Sequence, residues 1–283
     1  MVSSICLSPA ERWKEIAAGS EAQINLAEAA LVIAAGEYHG LDIPAYLARL
    51  DEMAAALRRR LRRDISATET IIALNHYLFG ELGFAGNAAD YYDPRNGFLN
   101  DVLDRRLGIP ITLSIIYMEV GRRVGLALHG VSFPGHFLVK CIVRDGAIVL
   151  DPYACGASLS LDDLRERLRA LHGVVPRPEA LRQMLAAAAK KEILGRMLRN
   201  LKGIYVERRD LDRALAAADR LIVLDPEAAD EYRDRAGIYL DLECFRAALA
   251  DLRRYLRLRP EAHDADLVRR KAAELEPVAA RLN

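Results

Sequence analysis

Two residues of this chain have the types and the spacing for proton chemistry. His136 follows a Pro134-Gly135 turn in the stretch FPGHFLVK at 133–140, and Asp151 opens Asp151-Pro152 after a second apolar run. Asp145-Gly146 between the two runs signals a hairpin, so the runs pair and their far ends meet. A carboxylate beside an imidazole fixes its tautomer and supports its charged form, as a general base requires.

Such a pair would activate a nucleophile. Its best place is a helix N-terminus, where backbone N–H groups and the helix dipole favour an anion. The long apolar helix expected at 111–124 starts in GIPITLSIIYMEVG (108–121), which holds no cysteine. Thr112 and Ser114 lie in its first turn, but a hydroxyl needs stronger activation than a thiol. Both read equally as a helix cap or a buried hydroxyl. Cys141 falls on the strand face opposite His136 and reads as an inert core thiol. Cys155 stands four residues after Asp151 in a Gly-bounded turn, without a helix start of its own. Cys6 sits too close to the chain start to be placed.

The elements that must position these residues are mostly helical. Ser8-Pro9 with Glu11 starts a first helix. Helical spacing continues through 22–37 and 43–61, and Ser66 or Thr68 with Glu69 opens another helix over 66–83. The segment NAADYYDPRNGFL at 87–99 is a loop by composition. Tyr91, Tyr92 and Asp93 are expected to rim the His136 site, with Asn96 and Asn100 behind them. After the helix at 111–124, closed by Gly125, come short strands at 128–133, 137–143 and 147–150. Ser160 with Asp162 and Asp163 starts a further helix to about residue 171. One buried helix followed by a small antiparallel sheet makes an α+β domain. A Pro- and Gly-bearing linker at 172–178 divides the chain into residues 1–175 and 176–283.

Beyond the linker the sequence is all helix and repeats itself. Tyr205 and Tyr239, Ala214 and Ala248, Leu215 and Leu249, Leu224 and Leu258, and Pro226 and Pro260 are each 34 apart. That period, with small alanines and a closing proline, resembles the tetratricopeptide repeat. Lys202 and Ala236 stand where such repeats often have glycine. Concave faces of helical repeats bind peptides, which makes Tyr205 and Tyr239 candidate binding residues.

The bulk numbers narrow the function. Of 283 residues, 52% are hydrophobic, enough for a sizeable core, and 40 basic residues balance 40 acidic ones. Zero net charge argues against nucleic acid as the main partner. The densest basic patch, Arg58-Arg59-Arg60-Leu61-Arg62-Arg63, reads as the solvated end of a helix. Four scattered cysteines fit a reduced, cytoplasmic protein, and no signal peptide or membrane span is expected. No His, Cys or carboxylate set has metal spacing and no Gly-rich loop follows a strand, so neither metal nor nucleotide cofactor is expected.

The order helix, His-strand, Asp-strand resembles the transglutaminase-like branch of the papain-type fold. There a cysteine begins the helix; here the matching place falls at about Pro110. A longer resemblance covers almost the whole chain. EAALVIAAGEY (28–38), YYDPRNGFLNDVLDRRLGIPITLSIIYMEVGRRVGL (91–126), FPGHFLVK and LDPYACG together resemble the bacterial SirB1 family, which combines a transglutaminase-like domain with C-terminal tetratricopeptide repeats. The expected function is a cytoplasmic interaction or regulatory protein, binding protein or peptide and no membrane, whose domain lacks the usual nucleophile. The alternative is an acyl-transfer hydrolase, peptidase or deamidase, with His136 as base, Asp151 as orienter, and Cys155, Ser114 or Thr112 attacking.

Overall fold

The computed structural model describes residues 7–173 and 177–281; Cys6 and the middle of the expected linker lie outside them. Two compact units divide the chain. The residues up to Arg12 go with Ser20–Leu194, and Trp13–Gly19 goes with Gly195 onward.

Helices α1 (Pro9–Ala18), α2 (Leu26–Ala35), α3 (Ile43–Arg58) and α4 (Ala67–Asn75) come first. Their starts follow the side-chain chemistry. Asn25 caps α2 and Asp42 caps α3. Ser66 and Glu69 form a reciprocal capping box on α4, each side chain accepting the other's backbone N–H. The helix expected to run through 83 changes to a π-helical turn at His76–Glu81.

A two-residue strand β1 (Ala85–Gly86) then pairs in parallel with β2 (Leu107–Gly108), around the loop and α5 (Leu99–Arg105). Helix α6 (Pro110–Arg123) follows, and every residue from Pro110 to Gly121 is buried. A helix covered on all sides needs no polar stripe.

Strands β3 (Leu128–Val131), β4 (Leu138–Val143), β5 (Gly146–Asp151) and β6 (Ala157–Leu159) form an antiparallel meander. The β4–β5 turn is Arg144-Asp145 rather than Asp145-Gly146. Val143 pairs with Gly146, and Gly146 opens β5 at φ +149. Strand alternation splits the sheet into two faces. Val131, Leu138 and Val149 pack with Phe133 against Leu164 and Leu168 of α7 (Leu161–His172) and Leu181 of α8 (Pro178–Met184). This core therefore reaches past the expected linker. Leu128, Val139, Cys141 and Leu150 alternate onto the other face, where α6 packs and a Cβ on Gly121 would meet Leu128 at 2.3 Å.

Helix α9 (Lys190–Glu207) leads into the second unit, with α10 (Leu211–Leu224), α11 (Ala229–Asp241), α12 (Phe245–Leu258) and α13 (Ala265–Arg281). The 34-residue period appears in its turns. Arg209 and Glu243 both take positive φ, +59 and +58. Asp210 N–H donates to the Tyr205 carbonyl, and Cys244 N–H to that of Tyr239. Ala214, Ala236 and Ala248 are wholly buried, so the paired helices approach closely. Trp13 joins this unit by donating from its indole to the Arg220 carbonyl at 3.0 Å.

Candidate functional site

Asp151 ends β5 on the face that looks toward α7. His136 lies in the turn just before β4, rather than on the strand, and on the same side as Leu138. Their side chains meet: His136 Nε2 is 2.9 Å from Asp151 Oδ1. The carboxylate is almost fully buried and both of its oxygens accept hydrogen bonds. Oδ1 also accepts the N–H groups of Tyr153 (3.1 Å) and Ala154 (3.3 Å), and Oδ2 accepts Arg167 Nη1 from α7 at 2.8 Å.

Burial alone would raise the Asp151 pKa. The hydrogen bond and charge of His136, joined by Arg167, outweigh it and hold the carboxyl below its ordinary value. An ionised carboxylate only accepts, so Nε2 carries the ring proton. Nδ1 has no hydrogen-bond partner among the described residues.

Beside the ring lies an aromatic row. Tyr153 meets His136 edge-on at 6.0 Å, Tyr91 meets Tyr153 at 6.3 Å, and Tyr92 meets Tyr91 at 5.3 Å. Tyr91 and Tyr92 are exposed large rings, as a binding edge would present. Asp93, Asn96 and Asn100 are different: all three are buried. Asp93 accepts the Arg95 N–H at 3.0 Å and pairs with Arg95 and Arg105. Asn96 donates to the Asp90 carbonyl and accepts from Asn87. Asp93 and Asn96 hold the loop together and are not free to meet a ligand, because their polar atoms already serve its backbone and neighbouring side chains. Asn100 is buried with an unpartnered Oδ1 among the described residues.

The start of α6 is tied to this row through the small parallel sheet. Gly86 pairs with Gly108, and a Cβ on Gly86 would come 2.4 Å from the Tyr153 ring. Gly156, just past Tyr153, accepts from Asn75, which in turn accepts from Tyr117 of α6 at 2.8 Å.

None of the three candidate nucleophiles hydrogen-bonds the His136 ring. Pro110 occupies the first helical position, where its missing N–H costs nothing. The Thr112 hydroxyl is fully used, accepting from Ile109 N–H at 3.1 Å and donating to the Asn96 carbonyl at 2.8 Å. Ser114 is wholly buried, its Oγ unpartnered among the described residues. Cys155 is exposed in a left-handed conformation, φ +54, at the end of the short helical turn 152–154. Cys141 is buried in the sheet core, and that burial pushes its thiol pKa up.

Two partners of the site were missed in the sequence. Tyr153 lies beside Asp151 in the quoted LDPYACG, so it was visible but not weighed. Arg167 sits in LDDLRERLRALH, where nothing marks it apart from the other arginines of a solvated helix.

In the second unit Tyr205 is buried, and the Arg213 guanidinium lies over its ring at 6.0 Å. Tyr239 is partly buried against the repeat core with Arg235 over it. Tyr205 is thus packed within the repeat unit. The 34-residue signature marks where helices touch each other.

Residues 44–199 match the transglutaminase-like superfamily, and residues 201–273 match the tetratricopeptide repeat. The chain belongs to the SirB1 (UPF0162) family. It is 43% identical over 264 residues to a UPF0162 protein of Xylella fastidiosa, covering 93% of this chain and 94% of the relative. It is 36% identical to a UPF0162 protein of Pseudomonas aeruginosa, over 90% and 93% of the two chains. It is 27% identical to Protein SirB1 of Salmonella typhimurium, over 84% and 88%. The α+β domain and the repeat-bearing helices expected from this family are both present. Among the described residues no helix is long and apolar enough to cross a membrane.

Proposed function

We propose that this SirB1-family chain is a cytoplasmic protein-interaction and regulatory protein. Its transglutaminase-like domain keeps the His–Asp half of a thiol-enzyme site but has no nucleophile, and its helical repeats bind a peptide or protein partner. One observation carries the reading. The His136–Asp151–Arg167 chain is complete around a buried carboxylate, while Pro110 stands at the helix start and the Thr112 hydroxyl is committed elsewhere. In this reading Nδ1 of His136 and the exposed edges of Tyr91 and Tyr92 serve recognition: a ring nitrogen open to a hydrogen bond beside aromatic faces suits an extended peptide.

The deciding experiment is the alkylation rate of each cysteine against pH, in wild type and His136→Ala, read by peptide mass spectrometry. Cys155 is expected to react at a rate indifferent to His136, and Cys141 slowly. Fast alkylation of any cysteine near pH ~6 that disappears in His136→Ala would reveal a thiolate–imidazolium pair. Acyl-transfer chemistry would then replace the binding reading.

A further inference from the structure

The basic stretch at 58–63 is more than a solvated helix end. Arg58 closes the last turn of α3, where a cation complements the helix dipole. Arg62 and Arg63 lie beyond that helix, and the dipole does not account for them. Together the three rim an open cavity of about 490 Å³ between the α3–α4 connection, the turn after α6, and β4. Its lining is mixed: Leu61, Ile65, Val124, Leu126, Ala127 and Ile142 supply aliphatic surface among the arginines and Thr70.

Ile142 is 44% exposed, as the alternation of β4 places it beyond the reach of the core that covers Leu138. Arg58 and Arg63 have no carboxylate partner among the described residues. Arg62 has one, Glu69 at 3.1 Å, but both side chains are more than half exposed, and such a pair contributes little. Neighbouring arginines do find partners: Arg60 with Glu81, and Arg123 with Asp51 and Glu119. Three arginines thus face this cavity with one exposed carboxylate partner between them, in a chain whose total charge is zero. None of the lining residues belongs to the His136 cluster.

We infer that this cavity is a docking site for an acidic segment of a partner protein, one that sets an aliphatic side chain between Leu61, Val124 and Ile142 and carboxylates against Arg58, Arg62 and Arg63. The aliphatic part of the lining favours a peptide over nucleic acid, which offers phosphates and flat bases but no aliphatic side chain. The volume falls in the range of small-ligand pockets, matching one or two side chains rather than a folded domain. Arginine forks suit carboxylates in two-point contacts, which lysine would not give.

The test is a subtractive display selection on the full-length chain. A random peptide library is first depleted on the Arg58→Glu/Arg63→Glu double variant, then selected on wild type. Both substitutions are at exposed positions, and an unchanged melting curve verifies the fold. Enriched peptides are expected to pair Asp or Glu with Leu, Ile or Val. They should lose about tenfold or more in affinity on Ile142→Asp, and weaken as salt rises through the range where the Debye length falls below about 10 Å. Three results overturn the inference: no enrichment after depletion, enriched peptides without acidic residues, or binding indifferent to Ile142→Asp. Tighter binding of wild type to anionic phospholipid vesicles or duplex DNA, lost in the double variant, would also overturn it by assigning the arginines to another class of partner.

Discussion

A Cβ atom added to Gly86 would lie 2.4 Å from the ring of Tyr153, closer than any side chain tolerates. The absence of a side chain at one end of a two-residue strand therefore sets where the tyrosine beside His136 stands. Gly86→Ala is expected to rotate that ring away and to cost about 1–3 kcal/mol, the usual range for overpacking. Thermal melting reads the cost. The chemical shifts of the His136 ring protons, which report the neighbouring aromatic, read the displacement. An unchanged His136 spectrum would break the link between β1 and the site.

Asp151 makes a pH prediction. Its carboxyl is held below its ordinary value of 3.8, so it contributes stability that is present above the unfolded pKa and lost as pH falls through the folded one. Acid unfolding below about pH 4 should therefore be steeper in wild type than in Asp151→Asn. At neutral pH Asp151→Asn should lose about 3 kcal/mol, since it leaves Arg167 and His136 facing a neutral group. Chemical denaturation across the acid range checks both.

Lys202 is a buried cation in the repeat unit, with Glu231 at 2.6 Å and Asp234 at 2.7 Å. Lys202→Met keeps the stem but strips the charge, leaving Glu231 buried with Arg199 as its remaining partner. The expected loss is about 3 kcal/mol. Adding Glu231→Gln should restore part of it, so the double variant loses less than the two single losses summed. Strict additivity in urea melts would mean the pair is not coupled.

Tyr205→Ala is expected to destabilise the second unit by about 3–5 kcal/mol, as large aromatic truncations in cores do. Tyr239→Ala, at a less buried ring, should cost less. Urea melts of the two variants rank them. Equal costs would contradict the difference in burial, and no cost at Tyr205 would restore it as a surface residue.

The sequence made the architecture legible because its signals were local. The capping box at Ser66 and Glu69, the apolar run after Gly108 and the 34-residue period each depend on residues close together or on strict repetition. The pairing of His136 with Asp151 was legible for a similar reason: one hairpin brings the start of β4, just after His136, beside the end of β5 at Asp151. What the sequence hid were contacts carried by tertiary packing. Arg167 reaches Asp151 only because α7 lies across the sheet. Asn96 looked like a site residue and is a buried lock, accepting the Thr112 hydroxyl on its carbonyl. Tyr205 carried a strong signal, but periodicity shows only that a position is constrained, and here the constraint is packing.

Helix α6 has no face left for water along twelve residues, Pro110 to Gly121. A chain emerging from the ribosome therefore presents IPITLSIIYMEVG before the strands that cover one side of it have been made. Those strands end only at Leu159, and α7 behind them at His172. For some fifty residues of synthesis that side of the helix stays uncovered, the kind of transiently exposed apolar surface that favours aggregation. The centre of the domain is thus also its point of greatest exposure during birth.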